Sequence, residues 1–412
     1  MKTNLISLLA GGLLLTPVAQ AATPAATATN QLGLDLYRLL AAKDGNLCLS
    51  PYSIQSAFAM TTNGADGKTL QEMRKVLHYP ENLSSINDSF ASLCSDFEKR
   101  HKRAATRFEQ KGQGESSFQL MVANRLFGQK GYPFSPAFLQ TVEKHYQAPL
   151  QLADFKTHFD AERMGINKWV ENQTRERIKN LLPSGSLDSS TRLVLVNALY
   201  FKAGWRHPFR KSSTTEQAFH LSPERDVAVP TMTAIKSFGF QQEDGYRAVT
   251  LPYSEGFAML VLIPDETDGL TDLEKSLTAD KLASLAQLRN RRVALHLPKF
   301  KIEGPSMPLK LPLQQLGMKL AFEPGQANFG RMISDESPSS LCISDAYHKT
   351  FIAVDEKGTE AAAATAVAVM MRTSMQITEQ PIEVRVDRPF FYAIMDTTSR
   401  TALFVGRVTD PR

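Results

Sequence analysis

The chain has 412 residues, of which 42% are hydrophobic and 22% are charged, and its formal net charge is +5. This composition is that of an ordinary globular protein, and it excludes a disordered or fibrous chain. So mild a positive charge does not by itself predict a nucleic-acid partner, and we expect none.

The first 21 residues have the pattern of a secretory signal peptide of bacterial type. Lys2 precedes an apolar stretch over residues 5–15, and Ala19-Gln20-Ala21 matches the A-x-A cleavage pattern. The apolar stretch is too short to span a bilayer, and no later segment is long and apolar enough to do so. We therefore expect cleavage after Ala21, a secreted or periplasmic protein, and a mobile lead-in over residues 22–29.

Helices are predicted early in the chain and strands later. Apolar residues at helical spacing predict helices over residues 30–42, 53–63, 68–77 and 82–109. Apolar or alternating runs predict strands over residues 118–126, 193–201, 258–263, 293–297, 382–386, 390–395 and 402–408. Because no strict βαβ rhythm is present, we expect an α+β fold. No linker rich in Pro, Gly or Ser divides the mature chain, so we expect one domain over residues 30–412.

The cysteines do not predict a disulfide framework. Three are present, an odd number at scattered positions. Cys48 and Cys342 lie in apolar stretches, so we expect them to be buried thiols.

The common catalytic and metal-binding motifs are missing. Residues 64–69 (GADGKT) end like a phosphate-binding loop, but Thr62 stands where that motif needs its first glycine. The sequence contains no G-x-S-x-G elbow and no His-x-x-x-His or Cys-x-x-Cys pair. A Ser-His-Asp site assembled only by folding stays open, but nothing in the sequence points to one. We therefore expect no enzyme activity, no metal and no cofactor.

Residues 356–372 form an unusually plain run, for which three interpretations compete. Alanine favours a helix, but Val367 and Val369 interrupt it and no helical apolar stripe exists. An inert linker would carry more polar residues than the single Thr365 found over residues 361–371. In a latent strand, alternate residues from Thr359 onward share one face, and all of them are uncharged and most are small. Such a face enters a sheet without burying a charge.

The two ends of this run suit that third interpretation. Gly358 provides a flexible pivot before the latent strand. Arg372 is the first charged residue after Glu360, and an arginine in an exposed loop is bait for a trypsin-like protease.

At this point the sequence resembles the serpin family, over essentially the whole mature chain. The segment that carries the resemblance most directly is similar to the reactive-loop hinge of inhibitory serpins: Glu356, Lys357, Gly358, Thr359, Glu360, Ala361, Ala362, Ala363, Ala364 and Thr365. Further similar motifs, in chain order, are residues 46–54 (NLCLSPYSI), 195–202 (LVNALYFK) with Trp205 and Phe209, 251–253 (LPY), 297–300 (LPKF), His348-Lys349, 388–390 (RPF) and 403–407 (LFVGR) with Pro411.

The resemblance implies a site for attack by a protease. In this family the scissile bond lies sixteen residues after the hinge glutamate, and counting from Glu356 gives Arg372–Thr373. Met370, Met371 and Thr373 stay open as secondary positions of cleavage. The family's breach and shutter regions map onto Ser50, Pro51, Ser53, Asn197, Trp205 and His348.

The resemblance also implies a fold and a mechanism. We expect a monomer with a large, mostly antiparallel central sheet, further sheets, about eight or nine helices, and an exposed reactive-centre loop over about residues 356–380. The expected function is irreversible inhibition of a trypsin-like serine protease, which forms an acyl-enzyme and is trapped when the cleaved loop enters the central sheet. The alternatives are a non-inhibitory serpin that acts as a protease substrate or binding protein, and a secreted hydrolase or binding protein of another fold.

Basic residues concentrate in one predicted helix. They are Lys99, Arg100, Lys102, Arg103 and Arg107. By its order along the chain this region resembles the helix with which some serpins bind heparin-like polyanions. The competing interpretation is a solvated helix end, where cations are favoured by the helix dipole.

Overall fold

The computed structural model describes residues 22–110, 118–334, 341–359 and 380–412, so the expected signal peptide lies outside the described residues. The α-helices are α1 (Pro24–Leu40), α2 (Pro51–Thr62), α3 (Gly67–Val76), α4 (Leu83–Gln110), α5 (Pro136–Tyr146), α6 (Phe155–Gln173), α7 (Leu270–Ser276), α8 (Ala279–Leu285) and α9 (Lys310–Leu316). The strands are β1 (Leu47–Leu49), β2 (Gln119–Gln129), β3 (Gln151–Ala153), β4 (Leu193–Gly204), β5 (Thr214–Ser222), β6 (Arg225–Glu243), β7 (Tyr246–Pro252), β8 (Phe257–Pro264), β9 (Asn290–Pro298), β10 (Phe300–Glu303), β11 (Met307–Pro308), β12 (Asp345–Asp355), β13 (Gly358–Thr359), β14 (Ile382–Arg385), β15 (Phe390–Asp396) and β16 (Thr401–Val408).

The first helix corrects the expected mobile lead-in. Residues 22–29 are not a loose segment, because α1 already begins at Pro24. The Thr23 side chain caps the helix by accepting from the Ala26 N–H, and proline at the first helical position suits a helix start. Ala25 and Ala28 are fully buried, since small side chains let α1 pack closely against its neighbours.

Helix α2 lies in the centre of the protein. Its start is specified locally, since the Ser50 side chain accepts from the Ser53 N–H at 3.2 Å and Pro51 occupies the first helical position. Every residue of α2 is buried. A Cβ added at Gly33 of α1 would lie 2.6 Å from Pro51 Cγ, so α1 passes directly over the start of α2.

The seven-stranded sheet has the strand order β10-β12-β13-β4-β2-β3, with β11 also pairing β12. Strands β2 and β4 are antiparallel along most of their length, from Gln119 opposite Lys202 to Gly128 opposite Leu193. Strand β4 is buried on both faces, and its apolar run accordingly lacks polar alternation. Parallel pairs also occur, between β12 and β4 and between β2 and β3, so the sheet is mixed.

The second sheet has nine strands, in the order β1-β16-β15-β8-β7-β6-β9-β14, with β5 pairing the free part of β6. Its chain-terminal strands β15 and β16 are antiparallel neighbours and are entirely buried. The 19-residue strand β6 pairs in turn with β5, β9 and β7, which joins the two ends of this sheet.

Two apolar clusters hold these layers together. The larger one lies between the two sheets and includes α1 and α2. The smaller one lies on the other face of the seven-stranded sheet, where Phe155, Ile166 and Val170 of α6 pack on Val194 and Val196 of β4. Within the described residues, helices and mixed sheets thus form the expected α+β domain.

Two smaller findings concern the cysteines and membranes. Cys48 and Cys342 are buried free thiols, as predicted, and Cys94 is a half-buried free thiol. Among the described helices, none combines the length and apolarity that a bilayer crossing requires.

Candidate functional site

Strands β12 and β4 meet along a seam whose two ends differ. Over residues 345–350 and 194–199 the two strands pair directly, in parallel; we call this part the closed segment. Beyond it, strand β13 lies between them, with Gly358 opposite Gly204 and Thr359 opposite both Ala203 and Val354. We call this part the open end. The two residues of β13 are thus already a third strand inside the seam.

Gly358 occupies a position that only glycine fits. Its φ of +153° is a conformation that L-residues rarely adopt. A Cβ at this position would lie 2.0 Å from the carbonyl oxygen of Ala203, well inside contact distance. The tight turn before it is held by the Asp355 carboxylate, which accepts from the N–H groups of Lys357 (2.8 Å) and Gly358 (3.3 Å). The expected pivot therefore coincides with a close backbone approach.

Thr359 is anchored under the open end. Its side chain is buried, and its hydroxyl is hydrogen-bonded to the Tyr253 hydroxyl at 2.5 Å. The Tyr253 ring stacks on Trp205 with centroids 4.3 Å apart, and Trp205 Nε1 donates to the Asp355 carbonyl at 2.9 Å. Burial raises the pKa of Tyr253, so its hydroxyl stays protonated and available for this bond.

Glu356 holds the same end from the other side of the turn. Its carboxylate accepts from the Thr214 hydroxyl at 2.9 Å and pairs with Lys299 at 3.1 Å, and its carbonyl accepts from the Phe209 N–H at 2.8 Å. Burial opposes ionisation of this carboxyl, but the hydrogen bonds and the Lys299 charge outweigh it and lower its pKa. The hinge glutamate is therefore an ionised anchor that ties the loop's first residues to β5 and to the β9–β10 connection.

A buried polar network crosses the closed segment. His348 of β12 and Asn197 of β4 are direct partners in the seam, and His348 Nδ1 lies 2.5 Å from Asn197 Oδ1. The other ring nitrogen, Nε2, accepts from the Ser50 N–H at 3.0 Å, at the start of α2. Ser53 continues the network through Asn124 of β2, with its Oγ 2.8 Å from Asn124 Oδ1.

The hydrogen bonds determine the tautomer of His348. Because Nε2 accepts a backbone N–H, the ring proton must be on Nδ1, which donates to Asn197 Oδ1. Complete burial lowers the pKa of His348 to about 3, so the ring is neutral at physiological pH. Asn197 Nδ2 is buried and has no hydrogen-bond partner within the described ranges.

The six residues expected at the breach and shutter lie in two groups, one at each end of the seam. Trp205 lies at the open end, and Ser50, Pro51, Ser53, Asn197 and His348 lie at the closed segment. Of the expected hinge, Glu356, Gly358 and Thr359 are described, whereas Glu360, Ala361, Ala362, Ala363 and Ala364 lie outside the described residues. The expected reactive bond, Arg372–Thr373, also lies outside them.

Four contacts of this site were missed from the sequence: Tyr253, Lys299, Asn124 and Thr214. Tyr253 and Lys299 belong to two of the motifs noted above, LPY and LPKF, so the signal was present without a role attached to it. Asn124 and Thr214 carry no local signal, because each becomes a partner only through sheet pairing.

The basic run on α4 is less available than expected. Arg100 must be removed from the set, because it is buried, pairs with Asp396 at 2.6 Å and lies over the ring of Phe257. Lys102 and Arg107 are exposed but pair with Glu98 and Glu255, at 2.5 and 2.9 Å. A polyanion site formed by Lys99, Lys102, Arg103 and Arg107 stays a prediction.

Comparisons with known proteins agree on one family. The family described as serpin (serine protease inhibitor) matches residues 27–411. Human Serpin B4 is 37% identical over 379 residues, covering 90% of this chain and 94% of the relative. A leukocyte elastase inhibitor of Xenopus laevis is 36% identical, covering 89% and 93%. The structure of human thyroxine-binding globulin with its ligand aligns with a TM-score of 0.78 at 26% identity, covering 94% and 98%.

Proposed function

This chain belongs to the serpin family, and on that premise we propose that it irreversibly inhibits trypsin-like serine proteases. The single observation that carries the proposal is strand β13. Gly358 and Thr359 already separate β12 from β4, and the residues that follow them in the sequence are small and uncharged on one face. The chain would be cleaved as a substrate and would then retain the protease as an acyl-enzyme, with no catalytic role of its own.

The register of β13 specifies where an inserted loop would lie. Thr359 is opposite Val354 on one side and Ala203 on the other. Moving six residues along each antiparallel partner brings Thr365 opposite both His348 and Asn197. Directly opposed residues share a face of the sheet, so the Thr365 hydroxyl would reach the two side chains whose hydrogen bond the new strand separates.

This correspondence accounts for the one polar residue over residues 361–371. Elsewhere on the inward face, alanine and valine would meet mostly apolar neighbours; Ala361, for instance, would lie between Ile352 and Phe201 of the flanking strands. At the shutter an apolar residue would leave His348 Nδ1–H and Asn197 Oδ1 buried without partners. The Thr365 hydroxyl can accept from the first and donate to the second.

The proposed reaction begins as ordinary proteolysis. The protease serine Oγ attacks the carbonyl carbon of Arg372, the Arg372–Thr373 bond breaks, and the new amine of Thr373 takes a proton and leaves. An ester then joins Arg372 to the protease. The cleaved strand inserts past the closed segment before water hydrolyses this ester.

Insertion moves the bound protease from one end of the sheet to the other. About thirteen residues separate Thr359 from Arg372, and at roughly 3.3 Å per residue they span on the order of 45 Å. The cost is the direct pairing of β12 with β4 over the closed segment, which must open, and the gain is a complete new strand paired on both sides.

Incubation with trypsin followed by denaturing gel electrophoresis tests the proposal. We expect a band at the summed mass of the two proteins that survives denaturant, because an ester joins them. Arg372→Ala is the matched control, and it should abolish that band with trypsin. Complete clipping after Arg372 without any such band would refute trapping.

Family membership alone does not decide between inhibition and the alternative, a protease substrate or binding protein. The relatives include an elastase inhibitor by name, and the solved neighbours include a thyroxine-binding globulin. The hinge favours inhibition, since residues 358–364 contain no proline, and the face that begins at Thr359 carries no charge.

We also place this activity outside the cytoplasm, in the periplasm or beyond the cell. The support is the signal-like pattern of residues 1–21, followed at once by the capped start of α1 at Thr23. Mass spectrometry of the exported protein should show an N-terminus at Ala22.

A further inference from the structure

Three exposed arginines lie together in a shallow hollow of the nine-stranded sheet. Arg289, Arg291 and Arg292 stand at the start of β9 and share the hollow with Gln380 and Ile382, where the chain returns after the reactive-centre loop. We call this set the arginine patch. It lies apart from the seam of β12 and β4.

Two of the three charges of the patch, those of Arg289 and Arg291, are not neutralised within the described residues. Arg289 and Arg291 form no ion pair with any residue in the part of the chain that the structure describes. The acidic residues on the strands beside it, Glu243 and Glu383, are each paired with a basic residue of their own, both at 2.6 Å. Arg289 and Arg291 are therefore open to an external anionic group.

The residues around these arginines favour a protein as the anionic partner. Ile382 is 38% exposed in the same hollow, and the half-buried ring of Phe240 lines its floor. Arginine and aromatic side chains are the residues enriched at protein interfaces, where apolar anchors supply burial and guanidinium groups bind carboxylates in pairs. A site for a simple polyanion needs only the charges.

The position of the patch points to the protease. Eight residue steps separate Arg372 from Gln380, so even a fully extended chain spans at most about 28 Å between them. A compact protease domain of roughly 230 residues is about 45 Å across. A protease bound at Arg372–Thr373 therefore reaches the patch with its primed side, the side of the cleft that holds the residues after the scissile bond.

We propose that the arginine patch is a docking surface that selects proteases with acidic residues on the primed side of the cleft. This inference rests on the proposed function and deepens it, because Arg372 alone admits any trypsin-like enzyme. Charge complementarity at the rim of an interface acts chiefly on the association rate, and it weakens as salt screens it.

The test compares two charge reversals against two trypsin isoforms. Arg291→Glu removes the centre of the patch, and Lys130→Glu is the matched control. Lys130 is exposed, and it follows the end of β2 that lies opposite the start of β4, far from the open end. Both variants lower the net charge by the same amount. Anionic and cationic trypsin share a preference for arginine and differ in surface charge.

The measured quantity is the second-order rate at which intact chain is lost, whether into complex or into clipped product. With anionic trypsin at low salt, Arg291→Glu should slow this rate on the order of threefold to tenfold, and Lys130→Glu should leave it unchanged. With cationic trypsin, Arg291→Glu should have no such effect. Raising the salt concentration should shrink the difference between the isoforms.

Three outcomes would overturn the docking surface. They are equal slowing by both variants, equal effects on both isoforms, and loss of retention on heparin-agarose by Arg291→Glu with unchanged attack rates, which would make the patch a polyanion site. The proposed function fails separately: charge-dependent attack that yields only clipped chain keeps the docking surface and refutes trapping. If neither isoform attacks the loop, both proposals fall.

Discussion

The two ends of one seam, between the same pair of strands, are in opposite states. At the open end the backbone of Gly358 and Thr359 already separates β12 from β4, whereas over the closed segment the two strands pair directly. In the proposed insertion, the first two residues of the new strand are therefore already in place at the open end. The barrier to that insertion would lie at the closed segment, where the two strands must separate.

The polar contacts of the two ends follow the same division. The Thr359–Tyr253 bond at the open end joins the incoming strand to the core, so insertion preserves it. The His348–Asn197 bond joins the two strands across the seam, so insertion must break it. The bond at the open end thus stabilises the inserted form, and the bond at the closed segment stabilises the intact form. Substitutions at the two places should therefore have different effects.

The largest expected effect comes from closing the open end to the incoming strand. Thr359→Arg places a charge at a position that is 1% exposed, against Tyr253. Burying an unpaired charge costs several kcal/mol, so we expect the arginine to hold residue 359 out of the seam in the intact chain. Insertion must then bury that charge, and a cost of about 3 kcal/mol already slows insertion on the order of a hundredfold. The acyl-enzyme ester is then hydrolysed before the strand can insert. Denaturing gels should show clipped chain in place of the complex with trypsin.

Thr359→Ser is the matched control for this change. It keeps the hydroxyl that bonds Tyr253 and should keep trapping close to that of the unmodified chain. An arginine variant that trapped trypsin as efficiently as the serine variant would contradict the role given to the open end.

A second effect depends on pH and concerns the closed segment alone. Between pH 7 and pH 5, His348 should lower the free energy of unfolding by about 2 kcal/mol. The pKa of buried His348 is about 3, below the roughly 6.5 of an unfolded histidine, so the unfolded state binds the extra proton first. The contribution of neutral His348 to the free energy of unfolding is therefore complete above about pH 6.5, and it falls by about 1.4 kcal/mol per pH unit toward pH 3. Protonation also puts a second N–H against the Ser50 N–H. At the open end the lowered pKa of Glu356 keeps that anchor ionised.

The measurement is the melting midpoint at a fixed scan rate between pH 7 and pH 5, for the unmodified chain and for His348→Gln. Burial also lowers the pKa values of His101, His207 and His296, so only the difference between the two proteins isolates His348. The unmodified chain should lose more stability over this range. Parallel curves would show that His348 does not respond to pH in the closed segment.

The open end of the seam could be predicted from the sequence more fully than the closed segment. The open end is encoded locally, because its key feature is a run of neighbours, Gly358 and Thr359, before small residues. The helix start at Ser50 and Pro51 is equally local, since a cap and a proline specify it. The resemblance to a family then supplied the roles of His348 and Asn197, which no local pattern reveals.

What the sequence could not predict depends on long-range packing. The sequence places the start of α1 too late because residues 22–29 are small and lack an apolar stripe, yet Ala25, Ala26, Ala28 and Thr29 are buried by tertiary contact. The burial of Arg100 could not be predicted either, because its partner, Asp396, lies almost 300 positions away in the sequence. Strands β5, β6 and β7 were not predicted, and β5 and much of β6 are solvent-facing and polar.

The smallest expected effect tests the link between the two ends. If the register of β13 continues, Thr365 bonds to both His348 and Asn197 in place of the hydrogen bond that these two make to each other in the closed segment. Thr365→Val has nearly the same shape without the hydroxyl, and it should destabilise only the cleaved, inserted form, by about 1 kcal/mol. Unfolding midpoints in guanidinium of the cleaved and the intact chain measure this.

Thr365→Ser retains a hydroxyl and should restore the cleaved form, which separates the hydrogen bond from packing. Before cleavage, β12 and β4 pair directly at this level, so the intact chain should unfold at the same midpoint in all three proteins. An equal loss in the intact and cleaved forms would mean that Thr365 acts somewhere other than the seam. No loss in either form would mean that the register starting at Gly358 and Thr359 does not run through to the closed segment, because a strand in that register must bring residue 365 between His348 and Asn197.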